Sequence, residues 1–497
     1  MDSDLHRAQL KDQAIAGLFW SFLERLGSQG VRLVISIILA RLLLPEQFGL
    51  LAMLAVFMAL AQLLIDSGFG QALILKRDPD QTDYCSVFYF CLGVSIVCAV
   101  VLWACAPAVA SFYGQPELTP LTRFMSLSLV LSSLRLIQIN SFTRSLDFRT
   151  QTFISLLSTL VSGGGGIALA YLGFGVWSLA IQYVMGDLIS TLLAWILHPW
   201  RPSAKFSTCS LRSMFGFGSK LLLAGFLNTA FGNLYPLLIG KLFPPAQLGY
   251  YTRAQQLPQI PNDTISIIVS RVTFPMFSAM RENKPLLKRS LRKALLALAL
   301  VNFPMMMGLA VTARPLVLTL LTAKWEPCVP YLQWLCVAGV LLPLHGMHLN
   351  ALLAQGRSDL FLRLEIIKKA LVVIAIVVTY RYGVLAMIIG QVVLTLVAYG
   401  LNGHYTTRLL SYTWREQLVD LMPCAGFTGV MGAATLLVGA IPFPNSALQL
   451  LAQVTAGIGV YILLCWLLQA EMFLEGLALL TAKLGFQPGE APDLPAA

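Results

Sequence analysis

Four cations embedded in apolar sequence, Arg25, Arg32, Lys220 and Arg253, are the side chains with most chemistry to offer. An ionisable group at bilayer depth costs at least roughly 2.5–3.5 kcal/mol, so it faces protein interior or water. Ser21, Arg25, Ser28, Arg32 and Ser36 follow one another at steps of four, three, four and four, with Glu24 beside them. That spacing puts guanidinium and hydroxyl groups on one side of a helix. A second stripe, Gln255, Gln259, Asn262, Ser266 and Ser270, repeats the same steps and is interrupted by Pro258 and Pro261. Asn228 and Asn233 precede it. A single amide of this kind is most simply glue between helices, at about 0.6 kcal/mol per contact. Two aligned stripes with their cations instead predict a hydrated, cationic cavity. Arginine suits the oxygens of a phosphate or carboxylate in such a place.

Asp66, Asp187 and Asp263 join Glu24 as the acidic counterparts at depth, and they are outnumbered. The expected site is therefore Arg25, Arg32, Lys220 and Arg253, in a polar lumen of Glu24, Ser28, Asn228, Gln255, Gln259, Asn262, Asp66 and Asp187. Arg123 and Arg135 fall near expected helix ends, where long side chains reach the interface.

No other chemistry competes. The nine cysteines form no CxxC and no metal-ligand spacing, and Cys91, Cys98 and Cys105 repeat at seven residues on an apolar helix face, which is packing. The histidines, including His345 and His348, make no metal motif, and there is no phosphate loop, nucleophile elbow or dinucleotide fingerprint. No metal and no cofactor are expected; a coupling ion, H+ or Na+, is left open.

These residues need membrane helices to hold them. Of 497 residues, 57% are apolar and 11% charged, where soluble domains carry about 25% charge. Mean hydropathy is +0.75. The chain reads as an all-α, multi-pass membrane protein, so the net charge of +11 is a matter of topology and no nucleic-acid partner is expected. Expected spans number fourteen: residues 14–197 as an N-lobe of six, 218–402 as a C-lobe of six, and two more in 403–470. Residues 1–13 form a polar N-terminus, 198–217 a linker and 471–497 a tail. Lys and Arg crowd the loops on one side, most densely at Arg281, Lys284, Lys288, Arg289, Arg292 and Lys293. The positive-inside rule puts that side, both termini, the linker and the tail in the cytoplasm. Anionic headgroups are the plainest partner for the 281–293 run.

The two halves echo one another. Arg41-Leu-Leu-Leu-Pro45-Glu-Gln47-Phe-Gly49 realigns without gaps on Lys241-Leu-Phe-Pro-Pro245-Ala-Gln247-Leu-Gly249, and Asn140 to Arg144 looks more loosely like Asn350 to Arg357. Two echoes in one order indicate an internal duplication, an arrangement many transporters use. The glycine run Gly163–Gly166 reads as a close helix-packing surface or hinge.

The segments Ile38 to Gly49, Asp66-Ser-Gly-Phe-Gly70, Arg144-Ser-Leu-Asp-Phe-Arg149 and Gly356 to Lys369 resemble the Wzx-type polysaccharide exporters of the multidrug/oligosaccharidyl-lipid/polysaccharide superfamily, in the colanic-acid-exporter-like branch. The resemblance implies two six-helix lobes about a cavity, and alternating access for a flippase in the bacterial inner membrane. It implies a polyprenyl-diphosphate-linked oligosaccharide as substrate, for exopolysaccharide or lipopolysaccharide biosynthesis, with polymerase or export machinery as a partner. A multidrug antiporter of the same superfamily would share the fold but favours carboxylates in its cavity. A membrane glycan polymerase or ligase would carry a large outer loop, and the connections Ala108–Leu118 and Arg314–Pro327 are short. The expectation is a transporter and not an enzyme.

Overall fold

The computed structural model describes residues 27–468, apart from Ser67 and Arg77. Among the described residues there are helices and no strands. Packing divides the chain into two compact units, one up to Thr252 and one from Arg253.

In the first unit, helix α1 is described over 27–42. It is followed by α2 (Pro45–Asp66), α3 (Phe69–Leu75) and α4 (Gln81–Tyr113). A broken span comes next: α5 (Leu118–Met125), α6 (Leu127–Leu134) and α7 (Leu136–Arg144). Then come α8 (Phe148–Tyr171), α9 (Val176–Leu197), α10 (Thr208–Gly232) and α11 (Leu234–Leu242). Helix α12 (Pro245–Ala279) starts in this unit and runs into the second. Side-chain caps fix several starts. Asp80 and Asp83 form a reciprocal capping box on α4, and Asp147 accepts from the Thr150 backbone on α8. Helices α8 and α9 pack along each other, α6 lies on α9, and α10 packs on α2, α3 and α4.

The second unit holds α13 (Lys284–Val311), α14 (Ala313–Leu320), α15 (Val329–Ala354), α16 (Ser358–Thr379), α17 (Val384–Leu410), α18 (Trp414–Gly439) and α19 (Ser446–Leu467). Helices α13, α15 and α17 pack side by side, and α18 lies on α13 and α19. Their core is Phe277, Leu287, Leu291, Leu295, Phe303, Leu344, Met347 and Tyr399 with their neighbours.

By length and composition, ten of the described helices or helix runs can cross a membrane. The bent pair Thr208–Gly216 and Gly218–Gly232, at 55°, makes eleven. Helices α12 and α16 are long enough but fall outside that test. The first carries Arg253, Asp263, Arg271 and three internal prolines, and the second carries Asp359, Arg363, Glu365, Lys368 and Lys369. Charge and proline lower hydropathy without preventing a helix that packs against other helices.

The duplicated motif turns out to be a contact. A Cβ on Gly49 would lie 1.8 Å from the carbonyl oxygen of Pro245, and a Cβ on Gly249 would lie 2.0 Å from that of Pro45. The first turns of α2 and α12 therefore cross backbone on backbone, each through the other's glycine. Only glycine admits so close an approach.

Candidate functional site

The glycine run on α8 builds the site. A Cβ on Gly163 would meet Ile35 Cδ1 of α1 at 2.1 Å, one on Gly165 would meet Met185 of α9 at 2.2 Å, and one on Gly166 would meet Gln182 at 2.9 Å. The run is a close-packing surface that draws α1 and α9 onto opposite parts of α8. On the N-terminal side of the run, where α8 carries serine and threonine instead, α1, α8 and α9 border a cavity of about 530 Å³. That volume falls within the usual range for a small-ligand site.

The lining sets polar and cationic side chains among apolar ones, Leu51, Ile139, Ile154 and Leu179. Arg32 comes from α1, Gln151, Ser155, Ser158, Thr159 and Ser162 from α8, and Gln182, Tyr183, Asp187 and Ser190 from α9. Arg135 enters from the break between α6 and α7 and donates through Nη1 to Asp187 Oδ1 at 2.7 Å. Both side chains of that pair are less than a quarter exposed, at 24% and 17%. Ser158 donates to the Ser155 carbonyl at 3.1 Å and Ser162 to that of Thr159 at 3.4 Å. Their hydroxyl protons are thereby turned back into α8, which leaves oxygen lone pairs for a ligand. Ser28 Oγ is 3.1 Å from Ser155 Oγ and ties α1 to this face. Arg32 is exposed, and no ion pair to it occurs among the described residues.

The structure brings only some of the expected site residues to this cavity. Arg32 and Asp187 line it, and Ser28 supports it through Ser155. Arg25 and Glu24 lie outside the described residues. Lys220 and Asn228 are exposed on α10, and Asp66 is exposed at the last residue of α2; none of the three is in the lining. In the second unit, Arg253 donates to Gln256 Oε1 at 2.8 Å, and its guanidinium lies 6.0 Å from the ring centre of the buried Trp325. Gln255 is half-buried, Gln259 exposed and Asn262 buried, with its amide nitrogen 3.6 Å from Met306 Sδ.

Two kinds of residue escape the sequence reading. Arg135 is not at a helix end facing the interface; it sits at the α6–α7 break inside a membrane-length run, Leu118–Arg144, and is paired. A deep carboxylate at Asp187 with no cation on its own helix was the available signal. The hydroxyl stripe Ser155, Ser158, Thr159 and Ser162 was legible as well, at steps of three and four on one face of α8. Arg123, by contrast, lies over the Trp103 ring, its guanidinium carbon 4.5 Å from the ring centre.

Ten or eleven membrane-length helices, several of them bordering a cavity with cations and hydroxyls, mark a multi-pass membrane protein. The chain belongs to the polysaccharide biosynthesis protein family, whose match spans residues 38–330. It is 25% identical over 405 residues to the lipopolysaccharide biosynthesis protein WzxC of Escherichia coli K12, covering 78% of this chain and 81% of that protein. It is 27% identical over 325 residues to the succinoglycan biosynthesis transport protein ExoT of Rhizobium meliloti, covering 65% and 66%. Among solved structures it shares the fold of the lipid II flippase MurJ in an inward closed conformation. That match has a TM-score of 0.71 and 14% identity, and it covers 92% of this chain and 100% of that one. The chain is a transporter and not an enzyme.

Proposed function

We propose that this protein is a flippase that carries a lipid-diphosphate-linked oligosaccharide across the bacterial inner membrane by alternating access, for surface or exported polysaccharide. The observation that carries the reading is Arg32: a guanidinium without a carboxylate partner among the described residues, facing a cavity of hydroxyls and amides. A saccharide hydroxyl finds acceptors there, and a phosphate or acidic sugar finds a cation. An antiporter for cationic drugs would need surplus carboxylate, and the one carboxylate in this lining among the described residues, Asp187, is already matched by Arg135.

Within this reading Arg25, Lys220 and Arg253 serve the substrate elsewhere on its route, and the chain spans the membrane fourteen times in two six-helix lobes plus two helices. Both termini are cytoplasmic, and the polysaccharide polymerase or export machinery is a neighbour. The loop-charge bias supports that orientation, and a reporter fused at Asn445 should read periplasmic while one at Ser203 reads cytoplasmic. The function is tested by Arg32→Ala. Membrane immunoblots should show a normal level while surface glycan falls at least tenfold, and Arg32→Lys should recover only part, since lysine keeps the charge and loses the planar fork. Full export by Arg32→Ala at normal level would remove Arg32 from the substrate's path.

A further inference from the structure

Among the described residues the cavity holds two guanidinium groups, and only that of Arg135 is in an ion pair. Arg135 uses Nη1 alone, on Asp187 Oδ1 at 2.7 Å and on the Asp187 backbone oxygen at 3.3 Å. A single-ended bond leaves most of the fork unused, and a ligand with several oxygens offers Arg135 a bidentate partner that this carboxylate does not. Arg135 and Arg32 line the same space, so an oxyanion drawn to Arg32 lies within the cavity that Arg135 already faces.

Asp187 sets the consequence of such an exchange. Its side chain is 17% exposed, on a helix of membrane length. A carboxylate left there without its guanidinium is an unpaired charge in a poorly solvated place, and the neutral form is then favoured. Among the described residues the other titratable groups in the lining are Arg32 from α1, Arg135 from the α6–α7 break and Tyr183 from α9 itself; α2, α5, α7 and α8, which also pack on α9, contribute none. Charge balance points the same way. Among the described residues the lining carries two positive charges and one negative. A diphosphate diester brings two negative charges, and one proton on Asp187 leaves two cations facing two anions.

Resting on the flippase reading, we infer that Asp187 is a proton-binding site coupled to the substrate: the oxyanion takes Arg135 from Asp187, and Asp187 takes up a proton as it does so. The coupling ion is then H+, and its uptake is stoichiometric with anion binding. Linkage makes the effect reciprocal, so the anion binds more tightly as pH falls, by up to tenfold per pH unit for one proton.

The experiment uses the full chain in nanodiscs, in weakly buffered solution near neutral pH with a pH-indicating dye. UDP-glucose serves as a soluble diphosphate diester, sodium glucuronate as an acidic sugar and glucose as the neutral control. Expected is uptake of close to one proton per bound UDP-glucose, none with glucose, and an affinity that rises with falling pH. If glucuronate alone gives the uptake, the oxyanion is the sugar's and not the diphosphate's, and the exchange stands. Asp187→Asn should still bind, with no proton uptake and a flat pH dependence, while Asp187→Glu keeps both. Binding by the wild type without proton uptake, or uptake unchanged in Asp187→Asn, overturns the inference and leaves the flippase reading intact. Binding of neither anion by the wild type, or binding indifferent to Arg32→Ala, overturns the anion-cavity reading and the inference with it.

Discussion

The two units bury polar groups in opposite ways. In the first unit Arg32, Arg135 and Asp187 look into an open cavity, and serine hydroxyls on α8 present lone pairs to it. In the second the polar groups look at one another. His345 Nδ1 is 3.2 Å from Asn402 Nδ2 and His348 Nδ1 is 3.0 Å from Thr406 Oγ1; the Tyr399 ring stacks edge-on against both imidazoles. Tyr399 and Gln417 are 3.4 Å apart, the Gln417 amide donates to the Tyr412 carbonyl, and Tyr412 donates to Asp420 at 2.7 Å. Asp420 is also bonded by Arg292. The second arrangement bonds its members to one another, leaving His348 Nε2 and Asn402 Oδ1 as the atoms of this ladder without a partner among the described residues, and it fixes how α13, α15, α17 and α18 pack. The first is left incomplete, which is the condition for a ligand to complete it. Polarity at membrane depth is therefore a poor guide to a site until one knows whether its partners are already present.

The largest expected effect comes from forcing the first unit's pair to behave like a structural one. Arg135→Ala leaves Asp187 half-buried and alone, and the loss should reach about 2–4 kcal/mol, somewhat below the range for a fully buried pair. Protein level should fall sharply on a membrane immunoblot. Replacing both partners by leucine removes the stranded charge, so the level should return while export stays lost. If the double variant exports normally, the pair is structural, and the contrast between the units disappears.

A middle-sized effect belongs to the second unit. Asp420→Asn weakens the acceptor of Tyr412 and Arg292, at about 1–3 kcal/mol for a buried group left poorly satisfied. Thermal stability in detergent should drop accordingly. Export per molecule should not change, because nothing in this ladder opens on the cavity. A fall in export at constant level would make the second unit's network functional as well.

The helices, the membrane setting and the echo between the halves were legible because each rests on local or periodic signals. Apolar runs of the right length declare spans, and the Pro–Gly echo at 45–49 and 245–249 is visible residue by residue. That the two echoes meet at Gly49 and Gly249 is not local, and no spacing along one strand of sequence reports it. The site divides in the same manner. Arg32 and Ser28 were visible as a stripe on one helix. Arg135 was not, because its role depends on a break between α6 and α7 and on a carboxylate 52 residues away. The stripe of α12 was equally legible, yet its amides end in different settings, Asn262 buried against Met306 and Gln259 exposed. Periodicity identifies a shared face; it does not say what that face meets.

The smallest effect is the most discriminating, since it separates ligand chemistry from packing on a single oxygen. Ser155 Oγ contacts Ser28 and lines the cavity, and its loss removes one helix–helix contact of about 0.6 kcal/mol. Ser28→Ala removes the same contact from the other side, but Ser28 is not in the lining. The two variants should therefore match in thermal stability, each within about 1 kcal/mol of the wild type. If the α8 hydroxyls hold saccharide, Ser155→Ala should lower export severalfold and Ser28→Ala should not. Export measured at matched protein level reads the difference directly. Equal export by the two would mean that the oxygen on α8 serves only to hold α1, and the saccharide would then have to be recognised by Gln182, Tyr183 and Ser190 on α9 instead.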